Sequence, residues 1–268
     1  MRPVRKTLGR QCGFTLLEVT LVVLIMGVFL TTIMFARNQG ASKSTASEAV
    51  FMDSAVAAIF QFAKRNNRLP CPDVNGDGLE DGAAGVCPVG VHSGGIPYLT
   101  LEFPLSSPVG TGLDRQFVYS VFRGDSAAAK DLTLSAERSV PLHVAPHISY
   151  ANLDDFKQAL INATSAAVDA SNLYVTGNDA NSGAANCSSS KVENVAFVVA
   201  SSGARNADQL GLDFDGPNLP NAGWDGTNKW DSVKAVTCYA GPGKPMTDRY
   251  DDQVRAVGFT ELMGFLAQ

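Results

Sequence analysis

The chain has 268 residues, 45% of them hydrophobic and 18% charged, with a formal net charge of −5 at pH 7. That is enough apolar material for a packed core, and the length lies within one domain's range. The acidic balance argues against nucleic-acid binding through bulk charge.

The first element is a short basic leader, residues 1–13, carrying Arg2, Arg5, Lys6 and Arg10. Phe14 to Phe35 follows, a run of 22 residues in which Glu18 alone is charged. The run is close to the ~20 residues that cross a hydrocarbon layer as a helix. The four basic residues all precede it, so the N-terminus is expected to stay cytoplasmic and the rest of the chain to cross. An ordinary secretory signal places a small-residue cleavage site after its apolar run. Here the candidate point, Gly13-Phe14, lies before the run, and the helix would survive processing. A carboxylate at bilayer depth costs roughly 2.5–3.5 kcal/mol on insertion scales and calls for a partner. Cleavage after Gly13 would give Phe14 a free amine one helical turn from Glu18. The two charges would neutralise each other within one chain or between neighbours. The plainer alternative is a membrane anchor with a tolerated acid.

After Phe35 the pattern becomes polar, and Gly40 marks the exit from the apolar run. Ala49, Met52, Val56, Ile59, Phe60 and Ala63 then recur at helical spacing, which predicts a second amphipathic stretch from Ser44 to Arg65. Asn66-Asn67 and Pro70 end it. In the next loop, Asp73, Asn75, Asp77 and Asp81 stand at the spacing of the first half of a calcium loop, with Gly78 at the sharp turn. The twelfth position, where a bidentate acid is expected, is Ala84. An Asp/Asn/Gly-rich surface turn pinned by Cys71 and Cys87 is therefore favoured over an ion site, and calcium is the one cofactor the sequence leaves open.

Cys12 lies in the leader. Cys71, Cys87, Cys187 and Cys238 remain, an even number that suits an oxidising compartment. Of the three possible connectivities, Cys71–Cys87 with Cys187–Cys238 closes loops between neighbouring segments. The spacings do not suit zinc, and His92, His143 and His147 are scattered.

Further along, Gln116 to Phe122 reads as a strand. Asn152 opens a helix with Asp154 and Asp155 in its first turn, where the dipole favours them. Its apolar face is Leu153, Phe156, Leu160, Ala163, Ala167 and Val168. Leu173 to Val175 is a short strand, and 177–190 is an Asn/Ser/Gly-rich loop. Val192 to Ala200 is the strongest strand of the head and is expected at its centre. A Gly/Asp/Asn-rich stretch with Trp224 and Trp230 follows. Val233 to Tyr239 is another strand, and the C-terminal segment supplies a last strand and a short helix.

Catalytic motifs are missing. There is no G-x-S-x-G. Ser188-Ser-Ser-Lys191 matches S-x-x-K only within a low-complexity loop. Gly241-Pro-Gly243-Lys244 lacks the spacing of a phosphate-binding loop. The expectation is a protein that is not an enzyme.

The stretch Gly13-Phe14-Thr15-Leu16-Leu17-Glu18-Val19 resembles the class III signal of type IV prepilins and type II secretion pseudopilins. The resemblance covers about thirty residues. It implies cleavage between Gly13 and Phe14 by a prepilin peptidase, N-methylation of Phe14, and pairing of Glu18 with a neighbour's N-terminus. The partners it implies are other pilin or pseudopilin subunits and an inner-membrane assembly platform. Gly95-Ile-Pro97-Tyr98-Leu-Thr-Leu101, Tyr119-Ser-Val121 and Tyr250-Asp251-Asp252 resemble segments of a minor pilin-like subgroup. The expected organisation is a leader at 1–13, a transmembrane polymerisation helix at 14–36, its periplasmic continuation at 37–68, and an α+β head at 69–268. The head is expected to carry an antiparallel sheet with long disulfide-pinned loops. The expected place is the inner membrane of a Gram-negative cell, then a filament at its surface. A pseudopilin of a secretion system shares every N-terminal feature and stands as the alternative.

Overall fold

A computed structural model describes residues 16–82, 86–102, 117–124, 129–138, 152–169, 171–176, 191–203, 214, 237–247 and 250–268, with side chains in the first helix described at 20–28 and from Glu48 on. The chain divides into two compact units, Met1–Ser44 and Thr45–Gln268. Helix α1 is Leu16–Asn66, and Gly40 lies inside it. It stops at Asn67, which takes a left-handed backbone (φ 54°) and donates its N–H back to the Ala63 carbonyl at 2.9 Å. Asparagine tolerates that conformation better than most residues, which makes it a natural helix stop.

The second unit is α+β. Its main sheet has the order β1-β2-β5-β7, made of β1 (Ser93–Gly94), β2 (Phe117–Val121), β5 (Phe197–Ser201) and β7 (Gln253–Val257). Every pairing in it is antiparallel. A smaller sheet has the order β4-β3-β6, from β3 (Tyr174–Thr176), β4 (Lys191–Asn194) and β6 (Cys238–Tyr239). There β3 runs antiparallel to β4 and parallel to β6. Two more helices complete the unit, α2 (Leu153–Thr164) and α3 (Phe259–Leu266).

The expected single strand Val192 to Ala200 is two strands in two sheets. Val195 and Ala196 carry the chain from β4 to β5. Polarity explains the division: Lys191, Val192 and Glu193 are exposed on an edge, whereas Phe197 to Ser201 is buried throughout between β2 and β7. A central strand covered on both faces needs that unbroken apolar run.

Within Thr45–Gln268 the helical stripe of α1 is Met52, Ala55, Val56, Ile59, Phe62 and Ala63, all in the core. The stripe is rotated slightly from the expected one, with Ala55 and Phe62 added and Phe60 only partly buried. Phe60 serves two neighbours: it stacks on Phe265 of α3 at 4.7 Å and meets Phe197 of β5 edge-on at 5.8 Å. Glu48, 5% exposed, accepts hydrogen bonds from Ser201 Oγ at 3.1 Å and Gln253 Nε2 at 3.0 Å. A buried carboxylate between two strands fixes where α1 lies on the sheet.

Helix α2 begins where the sequence places it, through a capping box. Asn152 Oδ1 accepts from the N–H groups of Asp154 and Asp155, and Asp155 returns an acceptor to the Asn152 N–H at 3.0 Å. Its buried face is Phe156, Ala159, Leu160 and Ala163. Ala167 and Val168 fall beyond its end at Thr164.

Candidate functional site

Two places carry the sequence expectations. At the N-terminal junction, Gly13 and Phe14 lie outside the described residues. Glu18 falls in the first turn of α1, and its side chain is outside the described set. From Leu21 to Met26 and at Val28, side chains are between 50% and 68% exposed on every face of the helix. Among the described residues, no helix is long and apolar enough to cross a membrane. The expected span, 14–36, extends to both sides of the residues 20–28 whose side chains are described.

The second place is the loop after α1. Cys71 and Cys87 form a disulfide with Cα atoms 5.5 Å apart, both buried. The expected Cys71–Cys87 pairing is therefore present. Cys238 is also disulfide-bonded, while Cys187 lies outside the described residues. Arg68 grips Glu80 with two parallel hydrogen bonds of 2.8 and 2.6 Å, and Glu80 Oε2 also accepts from the Cys71 N–H at 3.0 Å. Burial alone would raise the Glu80 carboxyl, but the Arg68 hydrogen bond, the Cys71 N–H and the Arg68 charge hold it below the ordinary range. Asp73 ties the loop to the end of β1 through reciprocal backbone bonds with Gly95 of 3.1 and 2.6 Å.

Each candidate calcium ligand is taken up by the loop itself. Asp73 accepts from the N–H groups of Gly76 and Gly78, at 2.6 and 2.7 Å. Asn75 Oδ1 accepts from Asp77 N at 2.8 Å, and Asp77 Oδ1 from Leu79 N at 2.8 Å. Asp81 accepts from Val74 N and Asn75 N, and Asn75 Nδ2 donates to Asp77 at 3.2 Å and Asp81 at 3.0 Å. Gly78 makes the expected sharp turn (φ 82°), and a Cβ there would strike the Tyr98 ring. Among the described residues, no group of three or more His, Cys, Asp or Glu side chains is placed to hold a metal ion. This arrangement is a hydrogen-bonded turn.

Asp73 has a distinct titration. Burial raises its carboxyl to about 6; the Gly76 and Gly78 N–H groups oppose this, and the charges of Asp81 and Asp77 add to it. The native state therefore holds this proton to higher pH than the unfolded chain does. Between the ordinary value of 3.8 and about 6, the contribution of Asp73 to stability falls as pH rises, and above that window it is lost. Lowering pH from 7 to 5 is expected to stabilise the wild type relative to Asp73→Asn in urea unfolding. An NMR titration is expected to place the Asp73 carboxyl midpoint near 6, unmoved by millimolar calcium.

Several residues that build this region were not singled out in the sequence. Arg123 and Asp131 form a buried ion pair at 2.8 Å, with side chains only 4% and 3% exposed. Arg123 also donates to the carbonyls of Cys87, Pro88 and Val91. Asp131 Oδ1 accepts from the Thr133 N–H and hydroxyl. Their only sequence signal was a charged residue beside an apolar run, at Phe122-Arg123 and Asp131-Leu132. Of the remaining candidates, Asp251 and Asp252 are buried against the rest of the unit, and Asp251 packs over Gly203 (φ 70°). His143, His147, Trp224 and Trp230 lie outside the described residues.

Comparison with protein-family models, with curated proteins and with solved structures finds no match for this chain.

Proposed function

We propose that the chain is a minor pilin or pilin-like subunit of a type IV filament. It is made in the inner membrane, cut between Gly13 and Phe14 by a prepilin peptidase, methylated at Phe14 and drawn into the filament. The observation that carries this reading is the order of the N-terminal residues: a basic leader, Gly13-Phe14, Glu18 five residues into the mature chain, then an apolar run. Helix α1 supports it, because its apolar residues from Leu21 to Met26 are at least half exposed among the described residues. Such a surface calls for lipid before assembly and for neighbouring helices after it. The disulfides suit an exported head. Glu18 is assigned the pairing with a neighbour's new N-terminal amine.

The test is direct. Filaments sheared from cells are expected to contain this chain with Phe14 as its first residue. A chain found only in the inner membrane, or one still beginning at Met1, would sink the reading.

A further inference from the structure

The chain has a single Asn–Gly pair, Asn75-Gly76, exposed in the loop that the Cys71–Cys87 disulfide closes. Asparagine is a thermolabile residue, and it is most so before glycine. Glycine has no side chain to shield its backbone nitrogen, which can reach the carboxamide carbon and close a cyclic imide. In this loop each reacting atom is met by a group of the right kind. The Gly76 N–H, the nucleophile, donates to Asp73 Oδ1 at 2.6 Å, so a carboxylate stands where the proton must go. Asn75 Oδ1 takes up negative charge when the carbon is attacked, and it accepts from the Asp77 N–H at 2.8 Å. Asn75 Nδ2, the leaving nitrogen, donates to Asp77 Oδ2 at 3.2 Å and Asp81 Oδ1 at 3.0 Å, two carboxylates that favour positive charge growing on it. These groups are fixed beforehand. Asp73 is buried and bonded through its backbone to Gly95, and Asp81 Oδ2 accepts from the Asn75 N–H at 3.0 Å. Holding reacting atoms and their helpers in place removes much of the entropy cost of reaction.

We propose that Asn75-Gly76 is a self-modification site, at which the folded loop promotes deamidation of its own asparagine. The Gly76 nitrogen attacks Cγ of Asn75 and forms the N–Cγ bond, while its proton passes to Asp73. The Cγ–Nδ2 bond then breaks, Asp73 returns the proton to Nδ2, and ammonia leaves. Water opens the imide and gives an aspartyl or isoaspartyl residue at position 75, with no oxidation or reduction. Asn75, Gly76 and Asp77 are exposed, so water reaches the imide. The product alters the loop. A carboxylate at position 75 cannot donate to Asp77 and Asp81, and it faces both as a like charge. The turn is loosened while the Cys71–Cys87 disulfide keeps its ends joined. Because the ammonia is lost, the change runs one way, and each copy carries a record of the time since it folded.

The experiment holds the purified full-length chain in detergent, disulfides intact, for days at neutral pH. The same chain, reduced and unfolded in guanidinium, is the reference. Mass spectrometry of proteolytic peptides reads the amide-to-acid change at position 75 and its isoaspartyl form. The folded chain is expected to convert several-fold faster than the unfolded one. Asp73→Asn is expected to lose that advantage, with its near-ultraviolet circular dichroism unchanged and its unfolded rate equal to that of the wild type. Asp77→Ala removes one carboxylate from the leaving nitrogen and keeps the N–H on Oδ1. It is expected to slow conversion of the folded chain several-fold, which provides a second variant should Asp73→Asn fail to fold. Equal or slower conversion in the folded wild type would overturn the proposal and make the loop a shield for Asn75. Folded Asp73→Asn or Asp77→Ala converting as fast as the wild type would overturn it as well.

Discussion

Glu18→Ala is expected to leave membrane insertion and cleavage after Gly13 intact and to deplete the chain from sheared filaments by at least tenfold. The direction follows from where the charge goes. Before assembly, removing a lone carboxylate from an apolar run favours insertion, since such a group costs roughly 2.5–3.5 kcal/mol at bilayer depth. On the proposed pairing, the same change would leave a neighbour's amine without its counter-charge among apolar helices after assembly. A loss of that size corresponds to about a hundredfold in an equilibrium constant, and tenfold allows for partial hydration of the amine. Glu18→Gln keeps the shape and loses the charge, so it is expected to behave like the alanine variant. Quantitative blotting of membrane and sheared fractions reads both. Equal incorporation of wild type and variant would remove Glu18 from the assembly step.

The second large effect is expected at Asp131. Asp131→Ala leaves the Arg123 guanidinium buried without its anion and strips acceptors from Thr133. Breaking a buried pair from one side costs about 3–5 kcal/mol, a large share of the ~5–15 kcal/mol that holds an ordinary domain folded. Urea unfolding of the full chain in detergent, followed by tryptophan fluorescence, measures it. Replacing both partners, as Arg123→Met with Asp131→Leu, is expected to recover only part of the loss. Such double replacements can be neutral when the pair bonds only to itself. Here Arg123 also satisfies three carbonyls of the 87–91 turn, and methionine offers them nothing. Full recovery would show that those carbonyls are solvated in the native state.

The local pattern of the chain was readable where it depends on neighbours in sequence. Asn152 with Asp155 three residues on announces the start of α2, because the capping groups lie within one turn. The stop at Asn66-Asn67 is local in the same way. The apolar end of the predicted strand Val192 to Ala200 pointed to a central position, and its Phe197 to Ala200 part is buried between β2 and β7. What escaped was long-range. The sheet change at Val195-Ala196 depends on which strands lie beside each half, and pattern alone merged the halves. Arg68 finds Glu80, and Arg123 finds Asp131, across loops whose course no spacing rule gives. The Asp73 to Asp81 stretch is legible only in part. Its spacing resembles the first half of an ion loop, but which backbone N–H groups its oxygens accept from depends on how the loop folds back on itself. At the N-terminus the legible part is a motif whose Gly13 and Phe14 lie outside the described residues.

The way α1 is fastened within Thr45–Gln268 has a mechanical consequence. Its anchor points are spread out: Glu48 on Ser201 and Gln253, Phe51 against Phe117, Phe60 between Phe197 and Phe265, and Lys64 over the Phe265 ring. At ~1.5 Å per residue these anchors extend over about 24 Å of helix. A tensile load entering along the helix is shared among several strands and α3, and no single contact has to bear it. Among the described residues the first link to meet the load is the Glu48 carboxylate, and the aromatic contacts behind it share what it passes on, while heat and denaturant act on the core as a whole.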